Sequence, residues 1–236
     1  MSSAVVPEPP PPPPSPGASF DFLKPFTFAF DDPRWIAKIL MGGLFVLASS
    51  IIIGVFFIYG YLARLARNVI NGVPNPLPEW DDLGEYFSEG LKLFVVGLIY
   101  TIPILIVVGI VFIPAIIAGG STDNDTIRQM AGMSATCMWC LIFPLGLALG
   151  LWLPAAMLMV VVSGDFSAGF DFRRIIAFIR GNVGNYILAW VAWMVARFAA
   201  SLGFLLLCVG ILFTIFWAYL VAAHAFGQVY RLSKER

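Results

Sequence analysis

Few residues in this chain have the chemistry to act, and each stands in an apolar setting. Arg197 falls inside an uncharged stretch. A guanidinium there costs about 2.5–3.5 kcal/mol to insert, which marks a functional residue by default. It reads either as a contact for an anion or lipid phosphate, or as a side chain snorkelling to the nearer interface. His224 lies about 10 Å along a helix from Arg231. A proton relay would need a second titratable neighbour, so the histidine reads as neutral and bonded to an adjacent helix. Cys137-x-x-Cys140 sets two thiols on one helical face. The apolar flanks disfavour thiolates and one pair is thin evidence for zinc, so both read as small core residues. Glu79, Asp81, Asp82, Glu85 and Glu89 form an acidic group, with 81, 85 and 89 at four-residue steps on one face. Their oxygens suit magnesium or calcium. The reading taken is charge pairing with Arg173, Arg174 and Arg180, so no metal and no cofactor is expected. The sequence has no P-loop, G-x-S-x-G, HExxH or Rossmann pattern, which weighs against an enzyme.

The elements that must hold these residues follow from composition. The chain has 236 residues, 60% hydrophobic and 12% charged, with mean hydropathy +0.89. An ordinary soluble domain runs near 45–50% apolar and about 25% charged. So little polar cover excludes a soluble globule, a disordered chain and a disulfide scaffold. What remains is an all-α integral membrane protein. Fourteen basic residues balance fourteen acidic ones, which argues against nucleic acid as a partner. The first residues show neither a basic region nor an apolar core, so the first span is expected to act as its own insertion signal.

Residues 1–19 carry an unbroken proline run from Pro9 to Pro14 and read as a polyproline II tether. Over 20–35, Phe20, Phe22, Phe26, Phe28 and Phe30 fall on even positions. That period predicts an extended segment with one aromatic face at the membrane interface. The transmembrane domain then occupies 36–232. Five apolar stretches predict spans at about 39–63, 93–118, 133–163, 185–204 and 208–230. Amphipathic spacing predicts interfacial helices at about 79–91 and 168–182. Gly146-x-x-x-Gly150 and the Ala192, Ala196 stripe suit close helix packing.

Basic residues orient the chain. Nine fall on one side of this threading, among them Arg64, Arg67, Lys92, Arg173, Arg174, Arg180 and Arg231, against Lys24, Arg34, Lys38 and Arg128 on the other. The C-terminus is therefore expected in the cytoplasm and the N-terminus outside a cell membrane. Asn124-Asp125-Thr126 makes a glycosylation sequon on the expected outer side.

One pattern goes beyond hydropathy. Asp32-Pro33-x-Trp35, Lys38-Ile39-Leu40, Gly42-Gly43, Gly60-Tyr61 with Arg64, and Leu77-Pro78-Glu79-Trp80-Asp81-Asp82 with Gly90-Leu91 follow in order. Over residues 30–105 the chain resembles a prokaryotic family of polytopic membrane proteins catalogued as a domain of unknown function. The resemblance implies an integral membrane protein and supplies no catalytic residue. The expected role is a non-enzymatic structural or accessory membrane component. Its partners would be the lipid bilayer and a homo-oligomer or larger membrane complex. The alternative is a small solute or lipid transporter, or another lipid-handling protein.

Overall fold

Tight turns built by serine, proline and glycine decide where this chain folds back. The computed structural model describes residues 19–121, 125–205 and 209–235. Most of the proline tether, Asp123 and Asn124 of the expected polar turn, Cys208 and Arg236 lie outside the described residues, as do the side chains of Pro114, Arg128 and Cys137. The described chain is helical without strands: α1 Lys24–Thr27, α2 Trp35–Ala48, α3 Ile53–Ile70, α4 Leu83–Ser121, α5 Asp125–Ser163, α6 Phe172–Gly181, α7 Val183–Ser201 and α8 Gly210–Lys234. Among the described residues, five helices are long and apolar enough to cross a membrane: α3, α4 through Ile110, α5 from Ile142, α7 with the 3-10 turn after it, and α8. This is an all-α membrane-type fold.

The first expected span, 39–63, is not one helix. It breaks at a 3-10 turn, Ser49–Ile51, followed by Ile52 at φ 69°. The Ser49 hydroxyl donates to the carbonyl of Phe45 four residues back, which loosens the ladder at the break. Phe45 and Phe57 then stack with ring centroids 4.8 Å apart. Twelve residues of straight helix would separate them by about 18 Å. The chain therefore reverses, and α2 lies antiparallel to α3. Gly54 makes the reversal possible, since a Cβ there would strike the Phe45 carbonyl.

Two further expectations change. The phenylalanine segment is not extended. Asp21 accepts the N–H groups of Leu23 and Lys24, Pro25 opens a helical turn, and Phe28–Asp31 continues as 3-10 helix. Phe26 packs on Trp217, and Phe28 is buried against α8. Nor do residues 79–91 form a separate surface helix. Asp82 caps α4 by accepting the Glu85 N–H, and α4 runs unbroken into the apolar stretch. Helices α4 and α5 have 39 residues each, about 58 Å, and stay helical through Pro103, Pro144 and Pro154.

Glycines set the packing around α3. A Cβ on Gly60 would collide with the Tyr86 backbone, and one on Gly90 with the Phe56 carbonyl, so α4 lies backbone to backbone along α3. Gly227 of α8 rests on the Ala66 carbonyl and Val69. Ala196 and Ala200 of α7 are buried with Ala218 and Val221 of α8, and Thr214 donates to the Ala200 carbonyl. One end of the bundle thus gathers the C-terminal ends of α3, α5 and α8 with the start of α4 and with α6. The end of α7, the start of α8 and the α2–α3 turn lie toward the other end.

Candidate functional site

The loop joining α3 to α4 carries the polar centre of the molecule. Helix α3 ends on Gly72 at φ 71°, where Gly72 N donates to Val69 O and Val73 N to Asn68 O. That closing pattern spends two of the helix's free carbonyls. Pro74, Pro76 and Pro78 then alternate, so every second residue lacks an N–H and the loop cannot pair with itself. Its carbonyls must find donors elsewhere, and four in a row do. Asn68 Nδ2 donates to Pro76 O at 2.9 Å, Lys38 Nζ to Leu77 O at 3.1 Å, Tyr61 Oη to Pro78 O at 2.8 Å, and Tyr86 Oη to Glu79 O at 2.5 Å. Trp80 answers by donating Nε1 to Lys38 O at 3.1 Å.

Lys38 is the hub. Its side chain is 4% exposed, and its ammonium lies 2.5 Å from Asp32 Oδ2 and 2.7 Å from Glu79 Oε1. With Leu77 O, all three donors are used. Asp32 also accepts the Arg34 N–H at 2.7 Å, and Arg34 Nη2 reaches Glu79 at 2.6 Å. Burial pushes the Asp32 carboxyl up, but the bonds from Lys38 and the Arg34 N–H outweigh it and hold it below its ordinary value of 3.8. Around this hub runs an aromatic column: Phe57 on Phe45, Phe45 on Trp80, and Trp80 on Tyr61 at 4.1 Å. The result is a clamp that ties α2, α3 and α4 to one loop. It is a saturated ion and hydrogen-bond network.

The acidic group is divided differently from expectation. Glu79 serves Lys38 and Arg34, Glu85 pairs with Arg64 at 2.5 Å, and Glu89 pairs with Arg67 at 2.8 Å. Asp82 is a helix cap, and Asp81 is exposed beside it. The antiparallel approach of α3 and α4 brings these carboxylates to the nearer arginines. Arg173, Arg174 and Arg180 lie on the exposed side of α6 with no acidic partner among the described residues. Ile175 and Phe178 of that helix turn inward.

The remaining candidates scatter. His224 is buried and stacks on Phe28 at 4.4 Å, in place of the expected bond to a neighbouring helix; its Nδ1 has no partner among the described residues. Gly146 faces open space, whereas Gly150 packs on Trp190. Ala192 and Ala196 are fully buried. Cys140 is exposed, and the described residues hold no cluster suited to a metal. Arg197 is exposed, with its guanidinium 5.9 Å from the centre of the Tyr219 ring. Tyr219 in turn lines a feature invisible in the sequence. A half-open apolar cavity of about 260 Å³ lies among α3, α4, α5, α7 and α8, walled by Tyr59, Ala63, Leu93, Pro154, Trp193 and Ala222 among others.

A family model described as "Protein of unknown function (DUF4013)" matches residues 43–209. The chain belongs to the DUF4013 family. The match runs from the middle of α2 through α7, well past the 30–105 stretch that carries the motif pattern. It takes in the DUF4013 loop with its tyrosines and Glu79, and it starts after Asp32 and Lys38. Comparison with curated proteins and with solved structures finds no match.

Proposed function

We propose that this DUF4013 protein is a non-enzymatic structural or accessory component of the cell membrane, assembled with a second copy or with other membrane chains. The saturated clamp carries this reading. Lys38, Asp32, Glu79, Tyr61 and Tyr86 would be the obvious reactive groups, and every one is spent on holding a loop and three helices. Large apolar side chains such as Leu105, Ile106, Ile110 and Phe143 face outward from α4 and α5. They offer a surface for lipid or for partner helices.

In this reading the end of the bundle that holds the clamp faces the cytoplasm. The Gln228 amide, oriented to satisfy both its groups, accepts from Asp21 N at 2.7 Å and donates to Asp21 O at 3.1 Å. Residue 21 therefore lies beside the C-terminal part of α8, not across the membrane from it as a straight first span would require. Lys24, Arg34 and Lys38 thereby join Arg64, Arg67, Arg173, Arg174 and Arg180 at one end. This removes the conflict in the basic-residue distribution. Helix α6 then lies along the cytoplasmic surface with its arginines outward.

The test is gentle extraction of the tagged full chain followed by native mass spectrometry. A discrete assembly, either a second copy or a stoichiometric partner chain, is expected. Monomers that conduct solute once placed in liposomes would overturn the reading.

A further inference from the structure

The cavity beside Arg197 is unlike the clamp: nothing within the described residues completes it. Its walls are almost wholly carbon, including Pro154, Met157 and Ala222. Water is a poor tenant, because a buried water needs two to four polar partners. Within a bilayer the apolar material available to enter a half-open space is a lipid chain. The occupant's polar end is set by charge. Arg197 is exposed, has no acidic partner among the described residues, and sits over Tyr219, which forms part of the cavity wall. A guanidinium presents forked donors that match phosphate oxygens. It lies four residues before the end of α7, at the level where a span approaches headgroups.

We propose that this cavity holds one acyl chain of a membrane phospholipid with a net-anionic headgroup, and that Arg197 engages its phosphate. The inference stands apart from the scaffold reading: a scaffold that holds no lipid and a lipid-holding protein that assembles with nothing are separate outcomes. Arg197 is thereby more than a snorkelling side chain. It selects the lipid, while the cavity retains it.

The full chain, purified in a mild detergent, is mixed with equal amounts of phosphatidylglycerol and phosphatidylcholine bearing the same acyl chains. Bound lipid is counted by native mass spectrometry. One retained lipid per chain is expected, with phosphatidylglycerol favoured about fivefold: both lipids offer the same phosphate oxygens, but the choline cation of phosphatidylcholine repels the guanidinium by about 1 kcal/mol. Arg197→Gln brings the ratio close to unity while Arg197→Lys keeps most of it, and Ala222→Phe, which fills the cavity, abolishes retention of both lipids. A wild-type protein that retains no lipid, or an unchanged ratio in Arg197→Gln, overturns the proposal. Because Arg197 is exposed, Arg197→Gln keeps its fold and decides the matter even where Ala222→Phe does not fold.

Discussion

Replacing Lys38 with methionine keeps the length of the side chain and removes the ammonium at the hub of the clamp. The loss is set by what is left behind. The Asp32 side chain is only 9% exposed and would remain charged with no cation against it. The Leu77 carbonyl would lose its donor. Glu79 adds little, being more exposed and still held by Arg34. Removing one partner of a buried pair costs about 3–5 kcal/mol, mostly as the stranded charge. For a chain of this length each kcal/mol moves the melting temperature by about 2–4 °C. Lys38→Met is therefore expected to melt roughly 10 °C below wild type in a mild detergent, with tryptophan fluorescence as the signal. The double variant Lys38→Met, Asp32→Asn removes the stranded charge and should recover about 2 kcal/mol of the loss. A Lys38→Met protein melting within about 2 °C of wild type, or a double variant losing the sum of the singles, would show that Lys38 and Asp32 are not a buried pair.

Three further outcomes follow from named contacts. Ile52 is a β-branched residue at φ 69° and largely exposed, so Ile52→Gly removes about 1–2 kcal/mol of strain against about 0.5–1 kcal/mol of added chain entropy. Its melting temperature should hold or rise slightly, whereas a fall of several degrees would point to an unbroken helix at this position. Gly90→Ala drives a Cβ into the Phe56 carbonyl and should cost about 1–3 kcal/mol, while Gly146→Ala, which meets nothing within 4 Å, should stay within about 0.5 kcal/mol; equal melting of the two variants contradicts the packing. The depressed Asp32 carboxyl contributes stability above its ordinary value of 3.8 that is lost as pH falls through its folded value. Melting should therefore drop below about pH 4 and drop less in Asp32→Asn, and parallel curves for the two proteins would count against the pairing.

Much of the fold was legible because apolar stretches and the 3.6-residue period survive in the structure. The spans around 185–204 and 208–230 correspond closely to α7 and α8. The α2–α3 reversal was hidden because Ser49 to Ile53 carries no charge, proline or glycine, and an uncharged run is silent about turns. Gly54 was the available signal, but it reads equally as a packing glycine. The amphipathic spacing over 79–91 overlaps the start of α4 from Leu83 onward, but it could not show that this helix continues into the apolar stretch or that residues 79–82 belong to the loop. The clamp was less accessible still. Glu79 is 41 positions from Lys38, and only the reversal brings them together. Nor could sequence choose between near and distant arginines for Glu85 and Glu89, since that choice depends on how α3 and α4 approach. Arg197 stood out at once, whereas the cavity reached through Tyr219 is assembled from five helices and leaves no local mark.

The chain folds back at residues 49–52, and in the proposed orientation the phenylalanine segment and the end of α8 emerge on the same side of the membrane. In a background freed of Cys137, Cys140 and Cys208, single cysteines at Ser19→Cys and Glu235→Cys can be probed with a membrane-impermeant maleimide in right-side-out and inverted vesicles. Labelling of both positions only in inverted vesicles is the predicted result. Labelling of Ser19→Cys and Glu235→Cys from opposite sides would contradict it.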